Sequence, residues 1–247
     1  MIIAEQELPV LFLVLVPVVA FLFASVGHGG ASGYLALMAL FGFSPDLMKP
    51  SALTLNLFVS AIAFIGFYRA GSFNGSLFRQ FAITAVPMAF LGGLLSLDHM
   101  AYRYLLAICL LVAGFRILMP RKGFYSVRKA KTWQGLFSGG VIGFVSGLIG
   151  IGGGVLLSPL VVLMRWGDLK VAAGVSALFI FVNSAAGLSG QLAAGIRPDP
   201  AVWILVLLAI AGGAAGSYTG AFLFKENNLR YLLASVLVLA CLKLTFL

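Results

Sequence analysis

Charge is scarce in this chain. Of 247 residues only 9% are Asp, Glu, Lys or Arg, with seven acidic residues and two histidines in all. A soluble domain of this length carries about a quarter charged residues, so a water-soluble globule is excluded. Cysteine is nearly absent as well. Cys109 and Cys241 both lie in apolar stretches, which rules against a disulfide scaffold or a cysteine metal cluster. The start of the chain lacks the positive flank of a signal peptide, carrying Glu5 and Glu7 instead, so the first apolar run is expected to be retained. Short segments alternating apolar and polar are missing too, and without them a membrane β-barrel is excluded.

What is present is apolar. The hydrophobic fraction is 62% and the mean hydropathy +1.10. Backbone polar groups in lipid must be paired internally, so long apolar blocks such as Leu8 to Val26 and Val202 to Tyr218 read as membrane helices. Ten segments emerge, at residues 8–26, 28–42, 51–68, 80–97, 103–119, 134–149, 154–165, 172–192, 201–222 and 230–246. A full crossing takes about 20 residues. Segments 28–42 and 154–165 fall short, and each begins in a glycine cluster, the pattern of a broken helix or a re-entrant hairpin. Counting each broken pair once gives about eight spanning units.

The net charge of +9 points to sidedness and not to nucleic acid, because its distribution follows the loops. The polar stretch Pro120 to Thr132 holds Arg121, Lys122, Arg128, Lys129 and Lys131, and short basic loops favour the cytoplasm. Alternating from there leaves only Lys49, Arg103, Arg197 and Lys243 outside, with both termini extracytoplasmic. Lys49 and Arg197 then read as snorkelling interfacial residues or as charges that draw anions to an entrance. Trp133, Trp166 and Trp203 read as interface anchors. Pro45, Pro50, Pro87, Pro159 and Pro198 read as turns, helix starts or kinks.

The two sides of the basic stretch resemble each other. Arg103-Tyr104-Leu105-Leu106-Ala107 recurs as Arg230-Tyr231-Leu232-Leu233-Ala234, Gly27-His28-Gly29-Gly30 faces Ile151-Gly152-Gly153-Gly154, and Ser51-Ala52-Leu53 faces Ser176-Ala177-Leu178. The order is kept. The domain reading is a first membrane repeat at residues 1–120, a basic cytoplasmic linker at 121–132 and a second repeat at 133–247. With an odd number of segments per repeat the second is inverted, and inverted repeats around broken helices are a recurring transporter architecture.

The glycine clusters carry the sharpest signal. Glycine permits tight turns and close backbone approach at a cost to helix stability. A helix that starts after such a break presents unpaired N–H groups and its positive end, which suits an anion. Candidate substrate-binding residues are therefore Gly27, His28, Gly29, Gly30, Ser32 and Asn56 in the first half. In the second they are Gly150, Gly152, Gly153, Gly154, Ser158, Asn183 and Gln191. The competing reading for glycine is close helix packing, and for the amides interior glue between helices. His28, the titratable group within a cluster, can donate to an anion, carry a proton or cap a broken helix. His99, beside Asp98, reads as a solvated loop residue. No acidic side chain sits in mid-crossing, which speaks against a carboxylate relay or a cation site. The residues do not assemble into an acid/base, nucleophile or metal set, so no enzyme activity and no cofactor or metal is expected.

The glycine break followed by Ser158-Pro159, its degenerate copy near Gly27 and the duplicated layout resemble the sulfite exporter TauE/SafE family of membrane permeases. The resemblance covers nearly the whole chain. It implies an all-α integral membrane protein of the bacterial inner membrane that moves sulfite, sulfoacetate or a related organosulfonate by secondary transport, with lipid and a small sulfur-containing anion as partners and protons as a candidate drive. By motif, Gly150, Gly152, Gly153, Gly154 and Pro159 carry the family pattern in the second half, and Gly27, Gly29 and Gly30 in the first. The first half departs from it at His28, at Ala31 and at Leu35, which stands where Pro159 suggests proline. An uncoupled anion channel is the alternative; a purely structural membrane subunit would leave the paired breaks unexplained.

Overall fold

The computed structural model describes residues 2, 3, 6, 7, 9–118 and 127–223. The expected segment 230–246, and with it the second copy of the Arg-Tyr-Leu-Leu-Ala sequence, lies outside the described residues. Among the described residues, a minimal antiparallel hairpin, β1 (Ile2–Ile3) and β2 (Gln6–Glu7), precedes nine helices. These are α1 (Val10–Ser25), α2 (Ala31–Leu40), α3 (Pro45–Arg69), α4 (Gly75–Leu94), α5 (His99–Leu118), α6 (Thr132–Ile149), α7 (Gly154–Leu163), α8 (Leu169–Ala193) and α9 (Val202–Phe222). Five of them, α3, α4, α6, α8 and α9, are long and apolar enough to cross a membrane, while α1, α2 and α7 are shorter apolar helices.

Helices α3, α4 and α8 begin several residues before the apolar blocks do. Proline at the first helical position starts α3, where its missing N–H costs nothing. Asn74 and Asp168 cap α4 and α8 by accepting from the N–H groups of Leu77 and Val171. Pro45 thus marks a helix start as expected, but Pro50, Pro87 and Pro159 lie inside helices.

The breaks turn the chain back. Phe12, in the first turn of α1, packs on Phe41 and Phe43 at the end of α2, with ring centroids 5.4 and 5.1 Å apart. In the second half, the N–H of Arg128, just before α6, donates to the carbonyl of Arg165, just after α7, at 2.7 Å. Each broken pair is therefore a hairpin whose two ends lie together. A long helix follows each hairpin, and these two, α3 and α8, run antiparallel: Leu53 lies against Gly187, Asn56 against Ser184 and Phe67 against Gly174.

Two seams of small residues complete the packing. Along α6, Gly139, Gly143 and Gly147 present their bare backbone to Phe81, Ala85 and Ala89 of α4, in parallel. Along α9, Gly212, Gly216 and Gly220 do the same to Pro17, Phe21 and Ser25 of α1. A side chain at any of these six glycines would overlap partner backbone, so the spacing of four sets the contact. Two apolar clusters result. One is built mainly from α1, α2, α3 and α9, the other from α4, α6, α7 and α8. Each cluster joins a hairpin and its following helix to one helix from the other half, and α3 against α8 is the seam between them.

Two expectations from the sequence are corrected. Lys49 does not snorkel: it is 7% exposed, and its Nζ donates to the carbonyl of Leu95 at 3.0 Å. Trp166 is no interface anchor either, being buried against Phe81, whereas Trp133 and Trp203 are exposed.

Candidate functional site

The two breaks meet at the α3/α8 seam. Gly30 and Gly153 are the N-caps of α2 and α7, both left-handed at φ 95° and 80°. Residues with a Cβ adopt that conformation only at a cost, which is why glycine holds these positions. One residue before each cap, Gly29 and Gly152 press against the same two side chains, Asn56 and Ile180, and a Cβ at either would run into the Asn56 amide.

Asn56 is fully buried and its amide is committed. Oδ1 accepts from the N–H of Ala31, the first residue of α2, at 3.0 Å. Nδ2 donates to the carbonyl of Ile151 in the second break, at 3.3 Å, and to Ser184 Oγ on α8, at 3.1 Å. One side chain thus pins the start of α2, the second break and α8 to α3. Both Nδ2 hydrogens are used, and this geometry makes Asn56 a staple of the breaks.

A second link joins the hairpins directly. His28 Nδ1 lies 3.0 Å from the carbonyl of Val26, and Nε2 lies 3.0 Å from Ser158 Oγ. A carbonyl can only accept, so Nδ1 carries the hydrogen. In the neutral ring Nε2 then accepts from the Ser158 hydroxyl; once protonated, it donates to the same oxygen. Both residues are half-buried. Counted from the caps, Ile151 is the counterpart of His28 and Leu35 the counterpart of Ser158, so this link has no mirror copy. The structural register therefore sets Leu35 opposite Ser158, one position away from the Pro159 match read in the sequence.

Several buried polar atoms around the breaks have no hydrogen-bond partner: the hydroxyls of Ser32, Tyr34, Ser146 and Ser176, and both amide atoms of Asn183. Both amide atoms of Gln191, further along α8, are unpaired as well. Native interiors rarely leave such groups unpaired, because each costs about 1–3 kcal/mol. Ser32 sits in the first turn of α2. Tyr34 curls back so that its hydroxyl touches Gly30, Ser146 lies beside Gly153, and the backbone carbonyl of Ser176 lies near Gly154 at the start of α7. Asn183 follows Phe179 and Ile180 by one turn of α8, on the face that meets Gly152 and Gly153. No side chain caps α7, so its positive end is open to this cluster.

Of the residues singled out from sequence, Gly27, His28, Gly29, Gly30, Ser32, Asn56, Gly150, Gly152, Gly153, Gly154, Ser158 and Asn183 collect around the breaks. Gln191 lies two turns of α8 beyond Asn183. Other hydroxyls are satisfied within their own helices, as Thr54 is by the carbonyl of Pro50 and Ser189 by that of Ala185. Sequence reasoning missed Ser146 and Tyr34. Their positions one turn from a glycine cap, just before one break and just after the other, were the signal available. His99 is exposed and pairs with Asp46 at 3.4 Å.

Paired broken hairpins, buried unpaired donors at their tips and a surrounding bundle of apolar helices define a multi-pass membrane transport protein. Comparison with known proteins gives the particular family. The sequence profile described as "Sulfite exporter TauE/SafE" matches residues 11–244, and the chain belongs to that family of transporters. It is 38% identical over 233 residues to the "Probable membrane transporter protein y4hK" of Sinorhizobium fredii, covering 92% of this chain and 94% of that one. It is 33% identical over 86 residues to the "Probable membrane transporter protein YunE" of Bacillus subtilis, covering 35% of this chain and 30% of that one. No solved structure matches at a significant level.

Proposed function

We propose that the chain is a secondary transporter of sulfite, sulfoacetate or a related organosulfonate, working by alternating access between two inverted repeats. The observation that carries this reading is the meeting of the two glycine breaks at one pair of antiparallel helices, amid unpaired buried donors. The family's description, sulfite exporter, supplies the substrate class. Uncharged N–H, hydroxyl and amide donors suit a small anion that must bind and then leave.

Inversion is supported by the helix pairings. Exchanging α1 with α6, α2 with α7, α3 with α8 and α4 with α9 turns the α4–α6 seam into the α9–α1 seam and leaves α3 on α8. The matching helices α2 and α7 have ten residues each, and α3 and α8 have twenty-five. With the basic stretch 121–132 cytoplasmic, the first hairpin enters from outside and the second from inside. His28 is the titratable group that joins the two, which makes it the candidate for proton coupling. Membrane potential alone favours export of an anion, whereas proton coupling favours uptake.

The test is flux of labelled sulfite, sulfoacetate and sulfate, with chloride as control, into liposomes holding the purified protein, with and without a pH gradient. Saturable sulfur-anion uptake driven by the gradient is the expected result. Flux without saturation or coupling would make the protein an anion channel. No flux of any of these anions through folded, inserted protein would remove the substrate assignment.

A further inference from the structure

The antiparallel register of α3 and α8 has a consequence beyond the central breaks. Leu53 lies against Gly187 and Asn56 against Ser184. One helical turn further, Lys49 shares the face of Leu53 and Asn56, and Gln191 shares the face of Gly187 and Ser184. These two side chains therefore stand opposite each other, about 10 Å along α3 from Asn56 at 1.5 Å per residue. Both border the same end of α4. Lys49 reaches the carbonyl of Leu95, and Gly190, next to Gln191, brings α8 onto Phe90 and Leu94.

Both are buried, Lys49 at 7% exposure and Gln191 at 0%. Gln191 uses neither amide atom, so it lies beyond hydrogen-bond reach of the Lys49 ammonium. Among the described residues, that ammonium has one carbonyl acceptor and no carboxylate within ion-pair distance. Asp46, one turn earlier, is exposed and turned to His99. A buried cation so poorly neutralised is costly unless a counter-charge joins it. The opposite end of the seam is built differently: the counterparts of Lys49 and Gln191, counted by the alignment of α3 with α8, are Ala173 and Phe67. Where Gly150 packs on Lys49, Gly27 packs on Ala173.

We propose that Lys49 and Gln191 form a second anion position, at the α4 end of the seam, where a small oxyanion pauses between the central breaks and one face of the membrane. The ammonium supplies the charge and the carboxamide NH₂ a second donor. The apolar pair at the other end offers no such stop, so the path is electrostatically one-sided. This rests on reading the chain as an anion transporter.

The test uses the full-length protein, in nanodiscs for equilibrium binding and in liposomes for flux, with sulfite as probe and sulfate and chloride beside it. Wild type is expected to bind a second equivalent of sulfite that Lys49→Met loses. Lys49→Arg keeps it. Gln191→Glu sets a carboxylate opposite Lys49, so it should raise thermal stability while weakening sulfite binding roughly tenfold. If Lys49 only caps the end of α4, Gln191→Glu binds sulfite with wild-type affinity, and the proposal is overturned. Should Lys49→Met not fold, Gln191→Glu and Gln191→Leu decide by the same measure. Lys49-dependent binding without flux keeps this site and sinks the transport reading. Normal flux with affinity unmoved in all variants sinks the site and keeps transport. Wild type that binds none of the three anions refutes the site outright.

Discussion

Replacing Asn56 by leucine keeps the side-chain volume close and removes the staple. Three groups lose their partner: the N–H of Ala31, the carbonyl of Ile151 and the hydroxyl of Ser184. In a water-soluble protein each orphan costs about 1–3 kcal/mol. Within a membrane bundle the measured worth of such bonds is smaller, averaging about 0.6 and reaching about 1.7 kcal/mol, because the unfolded chain finds other partners. Ser184 can turn to a carbonyl of its own helix, but the N–H of Ala31, in the first turn of α2, and the carbonyl of Ile151, between α6 and α7, have no partner within a helix. The expected loss is therefore about 1–3 kcal/mol, a factor of roughly 5 to 150 in the unfolding equilibrium. Reversible unfolding in mixed detergent micelles reads it directly. Asn183→Leu is the contrasting variant. Asn183 is as deeply buried but makes no hydrogen bond in the structure, so its loss should cost under about 1 kcal/mol while sulfite flux falls at least tenfold. A cost below about 1 kcal/mol for Asn56→Leu, or equal destabilisation by both variants, would refute the division into staple and site.

Three further outcomes follow from the geometry. In a background lacking Cys109 and Cys241, Met164→Cys and Lys129→Cys should react with an impermeant thiol reagent from the same side of the membrane and Asp46→Cys from the other; a chain in which α6 and α7 cross as one helix would give Met164 the opposite pattern. Gly143→Ala sets a methyl into the backbone of Ala85 and should cost about 1–3 kcal/mol by overpacking, measured by thermal unfolding, with Gly140→Ala, whose methyl would meet Thr84 and Met88 only at ordinary van der Waals distance, as the neutral control. His28→Ala and Ser158→Ala both break the link between the hairpins, so sulfite flux should fall in each, but only His28→Ala should abolish its acceleration by a pH gradient; equal acceleration in both would remove His28 from proton coupling.

Much of this was legible in the residues. The breaks could be placed because left-handed backbone at Gly30 and Gly153 demands glycine, and such a demand leaves a mark in composition. The reading of a duplicated layout rested on short identities and on two short apolar segments at corresponding places. The beginning of α3 was misread because Lys49 and Pro50 look like a boundary, and only packing reveals that a lysine there is buried. Asn56 stood in one list with Asn183 since both are amides in apolar helices. What separates them, one bonded three ways and the other unbonded, depends on what lies across the seam. No local pattern could indicate that α4 packs with the second half and α9 with the first, because partners distant in sequence are chosen by complementary surfaces.

That exchange of α4 and α9 bears on how the molecule can move. Each glycine seam ties a helix of one sequence half to the hairpin of the other at backbone distance, too closely for either to slide without unpacking. The packed bodies on either side of the α3/α8 seam are thus composites: α1, α2, α3 and α9 on one side, α4, α6, α7 and α8 on the other. If the protein works by alternating access, the connections α3–α4 and α8–α9 would be the hinges. Severing the chain at the basic linker between the halves should leave two fragments that each lack a wall of their own compartment, and that recover a working protein only when they meet.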